Sequence, residues 1–280
     1  MPHASLPNST PQLPKAVRLV DYAPPAFLVR TVDLDVVIEE SHVVVRSRLT
    51  LIRNTAVTDQ SVPLVLDGDE LSLVSVALDG RLLSACDYTC TPDRLAIAQV
   101  PAEFTLDVSV RIEPHRNTKL MGLYASKNGL FTQCEAEGFR RITYFLDRPD
   151  VMSRYTATIH ADRSRYPVLL SNGNLIDSGD EPNGRHWARW EDPFPKPAYL
   201  FAMVAARLDK LESSFRTGSG RHKRLQIWVE PGKLDQADYA MLALKKAMTW
   251  DEEVFGLELD LDQYMIVAVG DFNMGAMENK

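Results

Sequence analysis

Hydrophobic and polar residues alternate along most of the first 230 residues. In residues 32–38 every second side chain is apolar, and residues 43–51 repeat the pattern after the polar sequence EESH. A period of two is typical of a half-buried strand, so these segments are predicted to form an antiparallel pair. An Asp79-Gly80 turn signal and another alternating run at 104–112 continue the pattern. We therefore predict a mainly β protein with antiparallel sheets in a sandwich or saddle.

The hydrophobic period changes after the sequence PGKLDQADYA. Asp235 is suited to cap a helix that ends near Gly256. The apolar face of this predicted helix carries Met241, Leu244, Met248 and Phe255. The apolar segment QYMIVAVG follows, so an α/β arrangement is predicted to begin in this part of the chain.

The same changes of pattern indicate how the chain is divided. Residues 1–16 are rich in Pro, Ser and Asn and have no period, so they are predicted to be a flexible leader. The sequence PFPKP at 193–197 restricts the backbone shortly before the helical pattern begins. We predict an antiparallel β domain over residues 17–207 and the start of an α/β domain over residues 208–280.

Composition narrows the possible partners and the compartment. The formal net charge is -7 and both signs are interspersed, which argues against a nucleic-acid partner or an anionic membrane surface. Prolines interrupt the N-terminal stretch where a signal peptide needs an apolar run, and no segment is apolar for long enough to span a membrane. Three cysteines without a CxxC spacing are predicted to be free thiols: Cys86, Cys90 and Cys134. These features favour a cytoplasmic protein.

Two segments carry candidate chemistry. The first, TQCEAEGFRRITYFLDRPD at 132–150, is dense in charge, and its charged groups could simply form solvated ion pairs. Gln133 and Glu135 are two residues apart, so on an extended segment both side chains would face one ligand. The second is GAMEN at 275–279, where Gly275 and Ala276 would let another backbone approach as an added strand, with Glu278 at its end. The alternative without a function is that this segment is a turn followed by an ordinary acidic residue on the surface.

Together these segments resemble the aminopeptidase N family of zinc metallopeptidases. The sequence NMGAMENK is similar to that family's exopeptidase signature, and the resemblance extends over 22–280 through TQCEAEGFRRITYFLDRPDV, LLSNGN and WEDPFPKPAYLFAMVA. The resemblance implies that the region 208–280 begins a thermolysin-like catalytic domain. It also implies an enzyme that removes N-terminal amino acids from peptides with a free N-terminus. We expect the protein to be a monomer.

The resemblance further implies which residues bind substrate. Glu135 and Glu278 would hold the α-ammonium with help from Gln133, and Gly275 and Ala276 would hold the peptide backbone. Ala276 would also offer its peptide group to a developing oxyanion, and Met274 would shape the pocket for the first side chain. The full implied set of substrate-binding residues is Gln133, Glu135, Met274, Gly275, Ala276, Met277 and Glu278.

Zinc is the implied cofactor, but its expected ligands are not in this sequence. The family uses His-Glu-x-x-His on a helix together with a distant Glu, because histidines at i and i+4 share one helical face. No histidine pair here has that spacing; the six are His3, His42, His115, His160, His186 and His222. The ligands are therefore expected beyond Lys280, which makes this chain an N-terminal fragment without activity of its own.

Two other functions fit the pattern less well. A relative that hydrolyses epoxides would have Gly in the place of Ala276. A β-sandwich binding or scaffold module without catalysis would have no reason to keep the acids Glu135 and Glu278. A gene without His-Glu-x-x-His after this segment would decide for the non-catalytic alternative.

Overall fold

The computed structural model of the protein describes residues 18–272 and 274–280, so the predicted leader at 1–16 lies outside the described residues. The strands, in chain order, are β1 (Phe27–Ile38), β2 (Val43–Arg53), β3 (Leu64–Asp67), β4 (Ser72–Leu78), β5 (Arg81–Leu82), β6 (Thr89–Cys90), β7 (Arg94–Ile97), β8 (Glu103–Ile112), β9 (Gly122–Ser126), β10 (Gly129–Gln133), β11 (Ser153–Asp162), β12 (Val168–Ser171), β13 (Asn174–Glu181), β14 (Arg185–Lys196), β15 (Met203–Ala206), β16 (Asp209–Arg216), β17 (His222–Val229) and β18 (Gln263–Ala268). One α-helix, α1 (Asp238–Phe255), lies between β17 and β18 within these residues. Short 3-10 helices span Leu19–Asp21, Pro114–Arg116, Phe139–Arg141, Pro182–Gly184, Ala198–Leu200 and Leu234–Gln236.

The strands form four sheets in the described part of the chain. The largest has eight strands in the order β13-β14-β11-β1-β2-β8-β4-β5. A four-stranded sheet has the order β12-β15-β10-β9, and we call it the site sheet. Two three-stranded sheets have the orders β3-β7-β6 and β16-β17-β18. The predicted mainly β fold is confirmed.

The large sheet follows the predicted alternation, with one exception to antiparallel pairing. β1 and β2 pair antiparallel with Val32 opposite Leu49, and Asp79 and Gly80 form the turn between β4 and β5 with φ of 48° and 77°. Positive φ at both positions suits a hairpin turn. β1 also pairs with β11, but in parallel. Parallel strands cannot be joined by a tight turn and need a longer crossover connection. The long chain segment between β1 and β11 provides it.

The described residues form two hydrophobic cores. The first extends from Phe27 to Leu208 and joins the large sheet, the site sheet and the β3-β7-β6 sheet. The second lies between β17 and α1 and contains Leu225, Ile227, Val229, Ala237, Met241, Leu244 and Met248. The chain changes sheets between Ala206 and Asp209, beside the predicted boundary at residue 207. The division into domains remains a prediction.

The region after residue 208 forms the predicted α/β arrangement, because β17 and β18 pair in parallel on either side of α1 in the chain. Gly256 ends α1 as predicted, with φ of 66° and its N–H donating to Glu252 O. Two details of the prediction were wrong. Asp235 does not cap α1: it lies in a preceding 3-10 turn, and Ala237 occupies the N-cap position. Phe255 is 60% exposed and packs edge-on against Trp250, away from the second core.

Contacts also join the β16-β17-β18 region to the site sheet. The hydroxyl of Tyr124 donates to Asp271 O at 3.2 Å, and Ser126 Oγ donates to Asp271 Oδ2 at 2.8 Å. Burial, with Asp271 nearby, raises the pKa of Tyr124 to about 12, so this phenol keeps its proton and remains a donor. Asn128 Nδ2 donates to Glu230 Oε1 at 2.9 Å.

The cysteines are free thiols as predicted: Cys86 and Cys90 are exposed and Cys134 is buried. Over 18–272 and 274–280, no helix combines the length and the apolar character that crossing a membrane takes.

Candidate functional site

Gln133 is the last residue of β10, and its side chain is buried at the end of the site sheet. Its Nε2 donates to the main-chain oxygen of Glu135 at 3.2 Å. Its Oε1 is buried and has no hydrogen-bond donor among the residues that the structure describes. A buried carboxamide oxygen without a donor is unfavourable, so this atom is a candidate acceptor for a ligand N–H.

Glu135 lies on a tight turn directly after β10. The N–H of Gly138 closes this turn by donating to Cys134 O at 2.7 Å. A side chain at Gly138 would place its Cβ 2.5 Å from Gln133 O and 2.9 Å from Gly122 N, so only glycine fits here. Gln133 is buried and Glu135 is exposed. The prediction that both face one side of an extended segment was therefore wrong, because the strand ends between them.

The core holds the far end of this turn. Phe139 is fully buried, with its ring centroid 5.0 Å from that of Phe145 and 5.2 Å from that of Phe201. The N–H of Arg140 donates to Asp147 Oδ2 at 3.0 Å, and Arg140 Nε donates to the same oxygen at 3.1 Å. Burial raises the pKa of Asp147, and the hydrogen bonds from Arg140 oppose that shift. The turn that carries Glu135 is thus fixed by packing and by a largely buried ion pair.

Most charges of segment 132–150 are paired, but the pairs of Asp147 and Arg141 involve buried side chains and are not the solvated pairs of the alternative interpretation. Arg140 contacts Glu137 at 3.4 Å as well as Asp147. Arg148 binds Asp150 at 2.7 Å, and the buried Arg141 binds Asp69 and Glu70. Glu135 is different. It is the one acid of this segment whose carboxylate has neither an ion pair nor a hydrogen bond within the described residues.

The GAMEN segment is held by hydrogen bonds at its last residue, Asn279, and by an ion pair at the following Lys280, and not by a strand ladder. The Nδ2 of Asn172 donates to Asn279 O at 2.8 Å, and the Nδ2 of Asn279 donates to Leu200 O at 3.2 Å. Lys280 Nζ contacts Asp260 Oδ1 at 3.0 Å. Residues 274–280 form no strand. No neighbouring strand is paired with this backbone in the described part of the chain.

The predicted residues of this segment are open to solvent. Glu278 is exposed, and its carboxylate has no partner among residues 18–272 and 274–280. Met274 is 43% exposed and Met277 is half-buried. Gly275 and Ala276 are exposed, and a Cβ built on Gly275 would meet no atom within 4 Å. The space beside Gly275 is therefore free in this structure.

The site sheet brings the two candidate segments to the same edge. Ser171, the last residue of β12, pairs with Met203, the first residue of β15. On the other side of β15, Thr132 Oγ1 accepts from Met203 N at 2.9 Å. β10 and β12 thus end level with each other, about 10 Å apart across two strand spacings. Gln133 follows Thr132 and Asn172 follows Ser171, so the turn that carries Glu135 and the anchor of GAMEN share this edge.

Asn172 is the site residue that sequence reasoning missed. The segment LLSNGN was noticed only as part of the family resemblance, and its Asn-Gly pair signals a turn. The contact between Asn172 and Asn279 joins residues 107 apart in the chain, and no local pattern encodes it.

Metal ligands are a separate question. Among residues 18–272 and 274–280, no group of three or more His, Cys, Asp or Glu side chains is placed to hold a metal ion.

The chain belongs to the Peptidase M1 N-terminal domain family, whose model matches residues 30–200. It is 52% identical over 267 residues to aminopeptidase N of Caulobacter vibrioides, covering 95% of this chain and 30% of that protein. It is 49% identical over 269 residues to aminopeptidase N of Escherichia coli, covering 96% of this chain and 30% of the relative. Its structure is similar to that of Legionella pneumophila aminopeptidase A solved in complex with aspartic acid. The TM-score is 0.90 at 38% identity, over 94% of this chain and 31% of the other. The chain thus spans about 30% of the length of its curated relatives.

Proposed function

We propose that this chain is the substrate-recognising N-terminal part of a zinc-dependent aminopeptidase, which removes the first amino acid from peptides. The observation that carries the proposal is a pair of carboxylates, Glu135 and Glu278, that have no partner among the described residues and are borne by segments that meet at one edge of the site sheet. The proposed division is a recognition domain over residues 17–207 and the start of the catalytic domain over residues 208–280.

The two acids are suited to bind the α-ammonium of a peptide. At about 4 Å each carboxylate would contribute on the order of 4 kcal/mol at an effective dielectric near 20, before the cost of desolvation. The unpartnered Oε1 of Gln133 offers a further acceptor next to Glu135. An internal peptide bond carries no cation at this position. Such a site therefore restricts cleavage to the first residue of a chain.

The remaining predicted residues would hold the substrate on either side of its ammonium. The free space beside Gly275 leaves room for a peptide backbone next to Gly275 and Ala276. In the proposal Ala276 also offers its peptide group to the oxyanion that develops at the first carbonyl. Met274 and Met277 are flexible apolar side chains and would line the pocket for the first side chain.

Zinc would polarise the first carbonyl and activate water for its hydrolysis. The described residues supply no set of zinc ligands. We propose that the ligands belong to a region of the full-length protein that corresponds to the part of the relatives outside the match. The chain alone would then bind peptides without cleaving them. We further propose a monomeric cytoplasmic enzyme; the free cysteines Cys86, Cys90 and Cys134 are consistent with a reducing compartment.

The test uses the full-length gene product with aminoacyl arylamide substrates. Glu135→Gln and Glu278→Gln should each lower kcat/KM by about 100-fold, because each removes a charge that binds the ammonium. Glu137→Gln is the matched control: Glu137 lies in the same turn, but its carboxylate pairs with Arg140 and is 67% exposed. It should stay near the wild-type value. Normal kcat and KM in both test variants would contradict the ammonium site.

A wild-type protein without arylamide hydrolysis, or a gene without His-Glu-x-x-His, would contradict the enzyme itself. The relatives named aminopeptidase N favour the peptidase over a scaffold module or an epoxide-hydrolysing relative.

A further inference from the structure

Asn172 uses its whole carboxamide to hold three main-chain groups. It is 9% exposed and directly follows β12. Its Nδ2 donates to Leu200 O at 3.0 Å and to Asn279 O at 2.8 Å, and its Oδ1 accepts from Ala202 N at 2.7 Å. Both N–H donors of the amide are therefore used, together with one of the two lone pairs of its oxygen. An aspartate here would keep the bond to Ala202 and lose both donors.

The two residues after Asn172 contact the start of β18 instead of GAMEN. Gly173 O accepts from Gln263 Nε2 at 3.2 Å, and Asn174 Oδ1 accepts from Asp262 N at 2.9 Å. Gly173 has φ of +84°, and a Cβ at this position would overlap the carbonyl oxygen of Glu191. The loop 172–174 therefore packs tightly against β14. The same loop contacts the start of β18 and the GAMEN segment.

We infer that Asn172 is a positioning residue for Glu278. The carboxylate of Glu278 has no partner of its own among the described residues, so its place depends on how its backbone is held. The bond from Asn172 fixes the carbonyl of Asn279, the next residue along the chain. The recognition domain thus supplies Glu135 directly and places Glu278 through Asn172. This inference rests on the proposed ammonium site and adds a residue that acts through one of its acids.

The test is a double-mutant cycle in the full-length enzyme with an aminoacyl arylamide substrate. Asn172→Ala and Asn172→Asp should each raise KM by about 10-fold with a smaller change in kcat, because the ammonium contact is weakened as Glu278 moves. In an enzyme that already carries Glu278→Gln, the same changes should raise KM by less than about 2-fold. A residue with a purely structural role would not show this coupling.

Asn174→Ala is the matched control. It removes a contact between the same loop and the neighbouring sheet, but not the contact with Asn279. We expect its KM to stay within about 2-fold of the wild type.

Three results would overturn the inference. The first is a wild-type KM in both Asn172 variants. The second is a rise in KM that multiplies with that of Glu278→Gln, and the third is an equal rise in Asn174→Ala. In each of these cases, a raised KM in the Glu278→Gln enzyme would still support the proposed ammonium site. A normal KM in Glu278→Gln would instead contradict that site, and the role of Asn172 with it.

Discussion

The two acids of the proposed ammonium site, Glu135 and Glu278, are held in different ways. The turn that carries Glu135 is part of the first core: Phe139 packs inside it, and Asp147 binds the backbone and side chain of Arg140. The segment that carries Glu278 is exposed, and hydrogen bonds at Asn279 attach it to the site sheet.

This difference indicates what changes near each acid should do. The buried contacts that hold the turn carrying Glu135 in place also stabilise the fold. Substitutions around Glu135 should therefore lower the free energy of unfolding more than they change substrate binding. Around Glu278, most contacts are polar and lie near the surface, so substitutions should change substrate binding more than stability.

The largest effect is expected for Asp147→Ala on the Glu135 side. Asp147 is 3% exposed, and its loss leaves the partly buried Arg140 without its main partner. We expect the free energy of unfolding to fall by about 4 kcal/mol in urea denaturation of the 280-residue chain. Glu137→Ala removes the exposed partner of the same arginine and should cost under about 1 kcal/mol. Similar small losses in both variants would contradict a turn fixed by a buried ion pair.

Gly173→Ala should have the next largest effect on the free energy of unfolding. Gly173 follows Asn172, which binds GAMEN, and it packs directly against the backbone of β14. The new methyl group would overlap Glu191 O at a residue with φ of +84°. The expected loss is about 3 kcal/mol in the same urea measurement. Gly80→Ala is the control, since Gly80 has φ of +77° but no atom within 4 Å of a Cβ, and it should lose about 1 kcal/mol. Equal losses would show that backbone conformation alone accounts for the effect at Gly173.

A pH titration should reveal the buried cation near the end of GAMEN. Burial lowers the pKa of Lys196 from its ordinary 10.5 to about 8, although Asp192 lies 3.2 Å away and opposes the shift. Between pH 8 and 10.5 the unfolded chain therefore binds more protons than the folded one. Stability from this group should rise with pH in that window, by up to about 1.4 kcal/mol per pH unit.

The control is Lys196→Met. Between pH 8 and 10.5 the free energy of unfolding of the wild type should rise relative to that of this variant. Parallel curves for the two proteins would contradict the lowered pKa.

The smallest effect is expected for Lys280→Ala. Lys280 Nζ pairs with Asp260 and lies 4.3 Å from the ring centroid of Phe194, but its side chain is 39% exposed. Exposed ion pairs contribute little, so the loss should stay below about 1 kcal/mol in thermal denaturation. A loss of several kcal/mol would show that the GAMEN side is as firmly built as the Glu135 side.

The sequence predicted those parts of the fold that a local period encodes. The alternation at 32–38 and 43–51 predicted β1 and β2, and Asp79-Gly80 predicted the turn between β4 and β5. The buried face of α1 was correct at Met241, but it failed at Phe255, where the helix extends past the second core. Asp235 has the chemistry of a cap, and only the three-dimensional structure shows that α1 begins later.

The candidate site could be predicted only in part. Its residues came from a family resemblance, and their roles stay predictions. Which acids remain unpaired depends on partners far away in the chain, such as Asp69 and Glu70 for Arg141. The alignment of β10 and β12 beside β15, which brings Gln133 and Asn172 to one edge, is likewise a non-local register that no local pattern specifies.

The most direct test is a crystal structure of the full-length protein with a bound free amino acid. The account predicts that the carboxylates of Glu135 and Glu278 both lie within about 4 Å of the ligand's ammonium nitrogen. An ammonium bound elsewhere, or either carboxylate turned away from it, would contradict the central claim.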